Sequence, residues 1–439
     1  MKINKLIFAV AVVISMPTMS QSRQWSLRDC IDYAMDHNLT VKQQDDTRQQ
    51  REIDLSTSRN SRLPSLSGSA SQNFSFGRSL TSENSYANTN TSSTSFSLGT
   101  EVPLFTGFQI PNRIKLNQLN LKASMADMEK AKNDIKMQVA AAYVDILYDI
   151  EIANVAKRQI SIDSMQVKRL SIMLENAKAS EAEVSQQKST LAQDHLTFVQ
   201  ADNNYRLAIL TLTQLLELPS PEGFSIVVPE ISVEQTLLST PDEVYAAAVA
   251  IKPEIQAEQY RLQGTDNSIK IAKSSLYPSL SFSASLGSNY YKTSGYNTES
   301  FSKQLKNNFN QYVGLSLSVP IFNRFETRNN IQSSKIAQHT QQLQLDITKK
   351  SLFKEIQQVY YSAVAARSKY ESSNTAMKSS EDAFKLMSAK YENGKANITE
   401  FNEAKNSYLK SQSDCVQAKF EYLYRTKMLD FYKGSELKF

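Results

Sequence analysis

The chain has 439 residues, 41% of them hydrophobic and 21% charged, a balance too polar for a polytopic helical membrane protein and long enough for two or three ordinary domains. Its formal net charge of +5, small for this length, points to no nucleic acid or other strongly charged partner. With three isolated histidines, two cysteines and no phosphate loop, zinc motif or nucleophile elbow, it offers no basis for an enzyme, a metal or a cofactor.

In chain order, residues 1–20 read as a secretory signal peptide: Lys2 and Lys5, an apolar run from Leu6 to Ile14, then small and polar residues through Ser20. That apolar run is short of the roughly 20 residues of a spanning helix. From about 25 to 61 Leu27, Ile31, Ala34 and Val41 recur at helical spacing, and Pro64 lies just past the end. The period then becomes two, which predicts strands over about 64–76 and 94–105. In the first, Leu66, Gly68, Ala70, Gln72, Phe74 and Phe76 alternate with Ser67, Ser69, Ser71, Asn73 and Ser75. In the second, Phe96, Leu98, Val102 and Leu104 oppose Ser95, Ser97, Gly99 and Glu101. The Ser- and Asn-rich stretch between them reads as a solvent-facing loop.

Between Pro111 and Pro219 there is neither glycine nor proline, which predicts helices over about 112–173 and 180–218. The first of these would be on the order of 90 Å long at 1.5 Å per residue. Pro219 and Pro221 open a connector, 219–240, expected on the outside of the long helices in an equatorial region together with the tail 434–439. The series then runs again: helix over about 241–276, strands over about 278–290 and 312–322, helices over about 326–390 and 397–433. Local matches support a duplication. Ala34 to Val41 matches Ala248 to Ile255, and Pro64-Ser65-Leu66-Ser67 matches Pro278-Ser279-Leu280-Ser281. Val102-Pro103-Leu104-Phe105 matches Val319-Pro320-Ile321-Phe322, and Glu175 to Ala179 matches Glu392 to Ala396, both at an offset three residues larger. The first structural repeat is thus 21–218 and the second 241–433.

The expected fold class is mainly α with transmembrane β, a helix-strand-strand-helix unit used twice. Strands of about ten residues cross a bilayer at a tilt, and a small hydroxylated face suits the wall of a water-filled lumen. A sheet lying on a soluble core is the competing arrangement. Four membrane strands cannot close a barrel, so other protomers must complete it; two copies would give eight strands and three would give twelve. Ala404, Tyr408, Ser411, Cys415, Ala418, Tyr422, Arg425, Leu429 and Tyr432 step by four and three, the seam of a left-handed supercoil. For Cys30 and Cys415, a bridge and two buried thiols both remain open.

Two related hairpin turns end the long helices, one at Ala177 and one at Gly394. Ser180-x-x-Glu183 and Asn397-x-x-Glu400 read as capping boxes, and Glu403 lies where a carboxylate favours a helix N-terminus. The duplicated unit, the Val102 to Phe108 strand exit, and Tyr391-x-x-Gly394 with Ile398 and its following acids resemble the TolC-like outer membrane efflux protein family over the whole mature chain. That resemblance implies a homotrimer: a twelve-stranded β-barrel in outer membrane lipid, continuous with a long periplasmic α-helical barrel. It implies the exit duct of a tripartite efflux or type I secretion system, passive toward small molecules or proteins, docked to a periplasmic adaptor and an inner-membrane pump. It also implies a periplasmic gate at Glu400 and Glu403, with Tyr391 constricting and Glu183 in the neighbouring turn. The family's latch arginine falls on Ala396, beside Lys395. The alternative is a trimeric coiled-coil surface stalk or adhesin, which would place its strands once, at a chain end.

Overall fold

The computed structural model describes residues 24–80, 84–229 and 238–438. The signal-peptide reading of residues 1–20 and part of the connector lie outside them. The first half holds β1 (Gln24–Trp25), α1 (Leu27–His37), α2 (Leu39–Asn60), β2 (Ser65–Ser75), the short hairpin β3 (Arg78–Leu80) and β4 (Tyr86–Asn88), and β5 (Thr91–Thr106). It continues through α3 (Gln109–Glu175), α4 (Glu181–Leu215) and β6 (Ser225–Ile226). The second half holds α5 (Pro241–Ile251), α6 (Pro253–Ser274), β7 (Ser279–Thr293), α7 (Phe301–Asn307), β8 (Asn310–Ser318), α8 (Glu326–Glu392) and α9 (Ile398–Tyr432).

The duplication extends to element lengths. α1 and α5 have 11 residues each, α2 and α6 22, α3 and α8 67, and α4 and α9 35. Equivalent elements start 214 residues apart up to the first strand (27 and 241, 39 and 253, 65 and 279) and 217 apart beyond it (109 and 326, 181 and 398). The three added residues fall in the strand pair, where the second loop holds α7. Each helix expected before a strand pair is two helices. Pro253 holds Lys252 in extended backbone (ψ 125) and ends α5. Asn38 is extended as well (ψ 130), and its side-chain amide donates to the Leu215 carbonyl at 3.0 Å.

The chain forms two compact units. One comprises residues 40–133 and 241–357. Its centre is a four-stranded antiparallel sheet in the order β2-β5-β7-β8. Register puts Gly68 and Ala70 beside Leu98 and Phe96, Leu98 beside Leu286, Val102 beside Phe282, and Phe282 beside Leu315. This face is mainly apolar, with Gln72, Thr94, Thr100 and Gln311 among its residues, and largely exposed: Leu66 is 73% exposed and Leu315 68%. The other face is a hydroxyl surface, where Ser69 and Ser97 bond at 2.7 Å and Ser71 and Ser95 at 3.0 Å. Among the described residues no buried core covers either face, contrary to the competing arrangement. β5 accommodates Pro103 at a register shift, whereas β8 ends at Ser318, ahead of Pro320, because proline cannot donate to the ladder.

Strand passes to helix through two consecutive left-handed residues in each repeat. These are Gly107 (φ +60) and Phe108 (φ +66), and at the equivalent positions Arg324 (φ +54) and Phe325 (φ +63). Gly107 is also sterically required, since a Cβ there would stand 2.4 Å from the Ser274 carbonyl oxygen. The reversed chain turns Phe108 edge-on to Phe105 and Tyr277, and Phe325 edge-on to Phe322.

The other unit comprises, among the described residues, 24–39, 134–229, 238–240 and 358–438, so α3 and α8 each contribute to both. Here β1 pairs in parallel with β6, and the Tyr143 hydroxyl of α3 donates to the Val227 carbonyl at 2.5 Å. Ile135, Val139, Ala142 and Ile146 are buried along α3, as are Cys415, Ala418, Tyr422 and Leu429 along α9. Small and aromatic residues together let the helices approach closely while filling the space between them. Cys30 and Cys415 are free, buried thiols, and burial pushes Cys30 up to about 12. No described helix is long and apolar enough to cross a membrane.

Candidate functional site at the helical turns

The turns joining α3 to α4 and α8 to α9 are built alike. The N–H groups of Ala177 and Lys178 donate to the carbonyls of Leu174 and Met173 at 2.9 and 2.8 Å. Those of Gly394 and Lys395 donate to Tyr391 and Lys390 at 3.0 and 2.8 Å. This pair of bonds closes a helix through one left-handed residue: Ala177 at φ +53 in the first turn and Gly394 at φ +69 in the second. Asn176 and Asn393 donate their side-chain amides to the carbonyls of Ile172 and Ala389, each at 2.7 Å.

Each following helix opens on a reciprocal cap. Ser180 Oγ accepts from the Glu183 N–H at 3.2 Å, while the Glu183 carboxylate accepts from the Ser180 N–H at 2.7 Å. Asn397 Oδ1 accepts from the Glu400 N–H at 2.9 Å, and Glu400 Oε2 accepts from the Asn397 N–H at 2.9 Å. Bonds from Ser180, its backbone N–H first, hold the Glu183 carboxyl below the usual range. Glu403, one turn further along α9, is exposed.

Tyr391 is buried rather than projecting. Its ring stacks on Phe401 at 4.9 Å between centroids, and the Arg169 guanidinium of α3 lies 5.0 Å from its centre on the ring face. Arg169 also donates to the Glu392 carbonyl at 3.2 Å. Burial pushes the Tyr391 phenol up; Arg169 opposes this and Glu183 adds to it. The packing therefore brings Tyr391 and Glu183 into one electrostatic environment, while Glu400 turns back on its own cap.

Behind the turns lies a polar cluster that the sequence reading missed. Lys405 Nζ contacts both Asp163 oxygens, at 2.6 and 2.8 Å, with side chains 1% and 0% exposed. Gln159 and Gln187 donate to the same carboxylate at 2.8 and 3.1 Å, and Asp194 shares a hydrogen bond with it. Burial alone would raise Asp163, but the bonds from Asp194 and Lys405 hold it below the usual range. Asp194 Oδ2 is buried with no donor facing it, so the shared proton resides on Asp194, which burial and then Asp163 push up to about 7. The available signal was Lys405 itself, a lysine four residues after Phe401 on the buried stripe of α9. Arg169 carried no such signal, because its partner Tyr391 is 222 residues away in the sequence.

The family model described as outer membrane efflux protein matches residues 30–217 and 244–434, one block in each repeat. Toxin and drug export protein A of Aggregatibacter actinomycetemcomitans is 23% identical over 307 residues, which is 69% of this chain and 64% of that protein. The chain thus aligns with just under two thirds of that relative's length. A membrane protein from Pseudomonas aeruginosa superposes with a TM-score of 0.77 at 17% identity, over 93% of this chain and 92% of that one. The CmeC outer membrane channel of Campylobacter jejuni does so with a TM-score of 0.76 at 16% identity, over 100% and 95%. At these identities the structural likeness is one of fold, and the family match covers most of the chain. The chain belongs to the outer membrane efflux protein family, with a mainly helical fold interrupted by a strand pair in each repeat.

Proposed function

We propose that three copies of this chain form the passive exit duct of a tripartite efflux or type I secretion system. Twelve strands make the barrel in the outer membrane, and the long helices make the conduit through the periplasm toward an adaptor and an inner-membrane pump. The observation that carries this reading is the sheet: one face mainly apolar and largely exposed, the other lined with serine, and, among the described residues, no strand beside β2 or β8 at its edges. In lipid those edges need partners, and a second and third copy supply them. A hydroxyl-lined wall has no pocket to select cargo, so selection falls to the pump. A stalk or adhesin is disfavoured because strand pairs interrupt the helices in both repeats.

Tyr391, Glu183, Glu400 and Glu403 form the gate at the periplasmic tip in this reading. Three copies of Glu400 and Glu403 around one axis favour cations by their summed charge. Single-channel recording of the purified protein in planar bilayers tests both parts. Discrete channels are expected, with cation preference lowered in Glu400→Ala/Glu403→Ala. No channels in either protein would end the duct reading, and unchanged selectivity would leave the two glutamates as helix-terminal residues only. Co-purification with a crosslinked adaptor tests the assembly.

A further inference from the structure

The loop between β7 and β8 carries a feature that conduction does not use. In α7, Phe301 and Leu305 fall on one side by helical spacing, and Lys303 and Lys306 on the other. Phe301 packs against Phe96 and Tyr290, at 6.5 and 5.1 Å between centroids, and Ser288 Oγ donates to the Leu305 carbonyl at 2.6 Å. Phe96 pairs with Ser288 on the apolar face of the sheet, and Tyr290 follows on that face two residues later. α7 is therefore laid on the lipid side of the sheet, not on the hydroxyl side.

Its position is fixed by the sheet edge. β8 starts at Asn310, opposite Gly287, so the last six residues of β7 have no strand on that side. Gln304 takes the place of one: its Oε1 accepts from the Tyr291 N–H at 2.9 Å and its Nε2 donates to the Tyr291 carbonyl at 3.0 Å. Asn308 donates to the Asn289 carbonyl at 2.7 Å. Along the same end of the apolar face stand exposed Phe74, Phe76 and Phe309. At this aromatic margin stand Lys292, in one row with Ser92 and Phe74, and Lys303 and Lys306 of α7; Glu299, the one acid between β7 and β8, pairs with Lys303 at 2.5 Å. Aromatic rings and basic residues together at the end of an apolar band mark the depth at which acyl chains give way to headgroups.

We propose that α7 is an interfacial anchor: Phe301 and Phe309 rest at the acyl margin, and Lys292, Lys303 and Lys306 bind the phosphates of anionic lipid headgroups in the leaflet at the loop end of the sheet. The anchor rests on the membrane placement of the sheet and not on what the duct conducts. It also covers the stretch of β7 edge that would otherwise meet the interface unpaired.

The test uses the full chain in detergent, with retained lipid counted by native mass spectrometry after titration with phosphatidylglycerol or phosphatidylcholine. Wild type is expected to retain phosphatidylglycerol in preference. Lys292→Gln/Lys303→Gln/Lys306→Gln should bind it at least about tenfold more weakly, with unchanged thermal midpoint and conductance, while Lys335→Gln/Lys350→Gln/Lys354→Gln on α8 retains it as wild type does. Equal retention of the two lipids, equal loss in the α8 variant, or displacement of the lipid by millimolar inorganic phosphate would overturn the proposal. Loss of conductance in wild type would bear on the duct reading and leave this one standing.

Discussion

Lys405 and Asp163 form a buried ion pair that ties α9 to α3 two residues past Glu403. Both side chains are removed from water, so the pair is worth little relative to an apolar pair of the same volume, but breaking it is costly. Lys405→Met leaves Asp163 buried without its cation, and a loss of about 3–5 kcal/mol in local stability is expected. Adding Asp163→Asn removes the stranded charge and should recover much of that loss. Hydrogen exchange at the start of α9 reads both variants, and equal protection in the single and double variants would argue against the pair as a clamp.

Asp194 makes the same cluster sensitive to pH. Its carboxyl, pushed up to about 7 by burial and Asp163, holds a proton that an exposed aspartate would release near pH 4. A raised folded-state value means stability fully present below about pH 4 and lost as pH rises through about 7. Above that, Asp163 and Asp194 share the cation of Lys405, with the neutral Gln159 and Gln187 donating to Asp163. The open probability of the reconstituted channel should therefore rise from pH 5 to pH 8. Asp194→Asn, neutral at every pH and still able to donate to Asp163, should flatten that profile toward its acid limit. A variant profile that follows wild type would exclude Asp194 as the titrating group.

The two turns differ in one residue where their geometry does not. Ala177 holds φ +53 with a Cβ, while Gly394 holds φ +69 without one, and an added Cβ at Gly394 would meet nothing within 4 Å. The difference is therefore one of backbone strain alone. Ala177→Gly should stabilise its turn and Gly394→Ala should destabilise its own, each by about 1 kcal/mol. Hydrogen exchange at Lys178 and Lys395, whose N–H groups close the turns, should move in opposite directions in the two variants.

What was legible in the sequence follows a physical rule. The duplication could be read because insertions are confined to the strand-pair loop, so Pro64 and Pro278, and Glu175 and Glu392, keep near-constant spacing. The sheet could be read because an uncovered two-faced strand must alternate strictly, as Leu280 to Leu286 does. The break at Asn38 could not, since it depends on an amide reaching the Leu215 carbonyl, 177 residues away. α7 was hidden in a polar loop because its helix is held by side-chain bonds from Gln304 and Asn308 to β7 rather than by a long apolar stripe. At the turns, caps within three residues were visible, whereas Arg169 on Tyr391 and Lys405 on Asp163 join distant segments.

Tyr391 provides a last test, because its ring and its hydroxyl have separable roles. The ring is held between the Arg169 guanidinium and Phe401, which is itself 1% exposed and in contact with Phe384. Tyr391→Phe keeps both ring contacts, so a change in stability of under about 1 kcal/mol is expected, the size of one hydrogen bond. Tyr391→Ala removes the ring, strips the cation of its aromatic partner and opens a cavity against Phe401, which should cost about 3–5 kcal/mol. In bilayer recordings Tyr391→Ala should then lengthen openings while Tyr391→Phe resembles wild type. If Tyr391→Phe alone lengthened openings, a bond from the hydroxyl, and not the packing of the ring, would be what restrains the proposed gate.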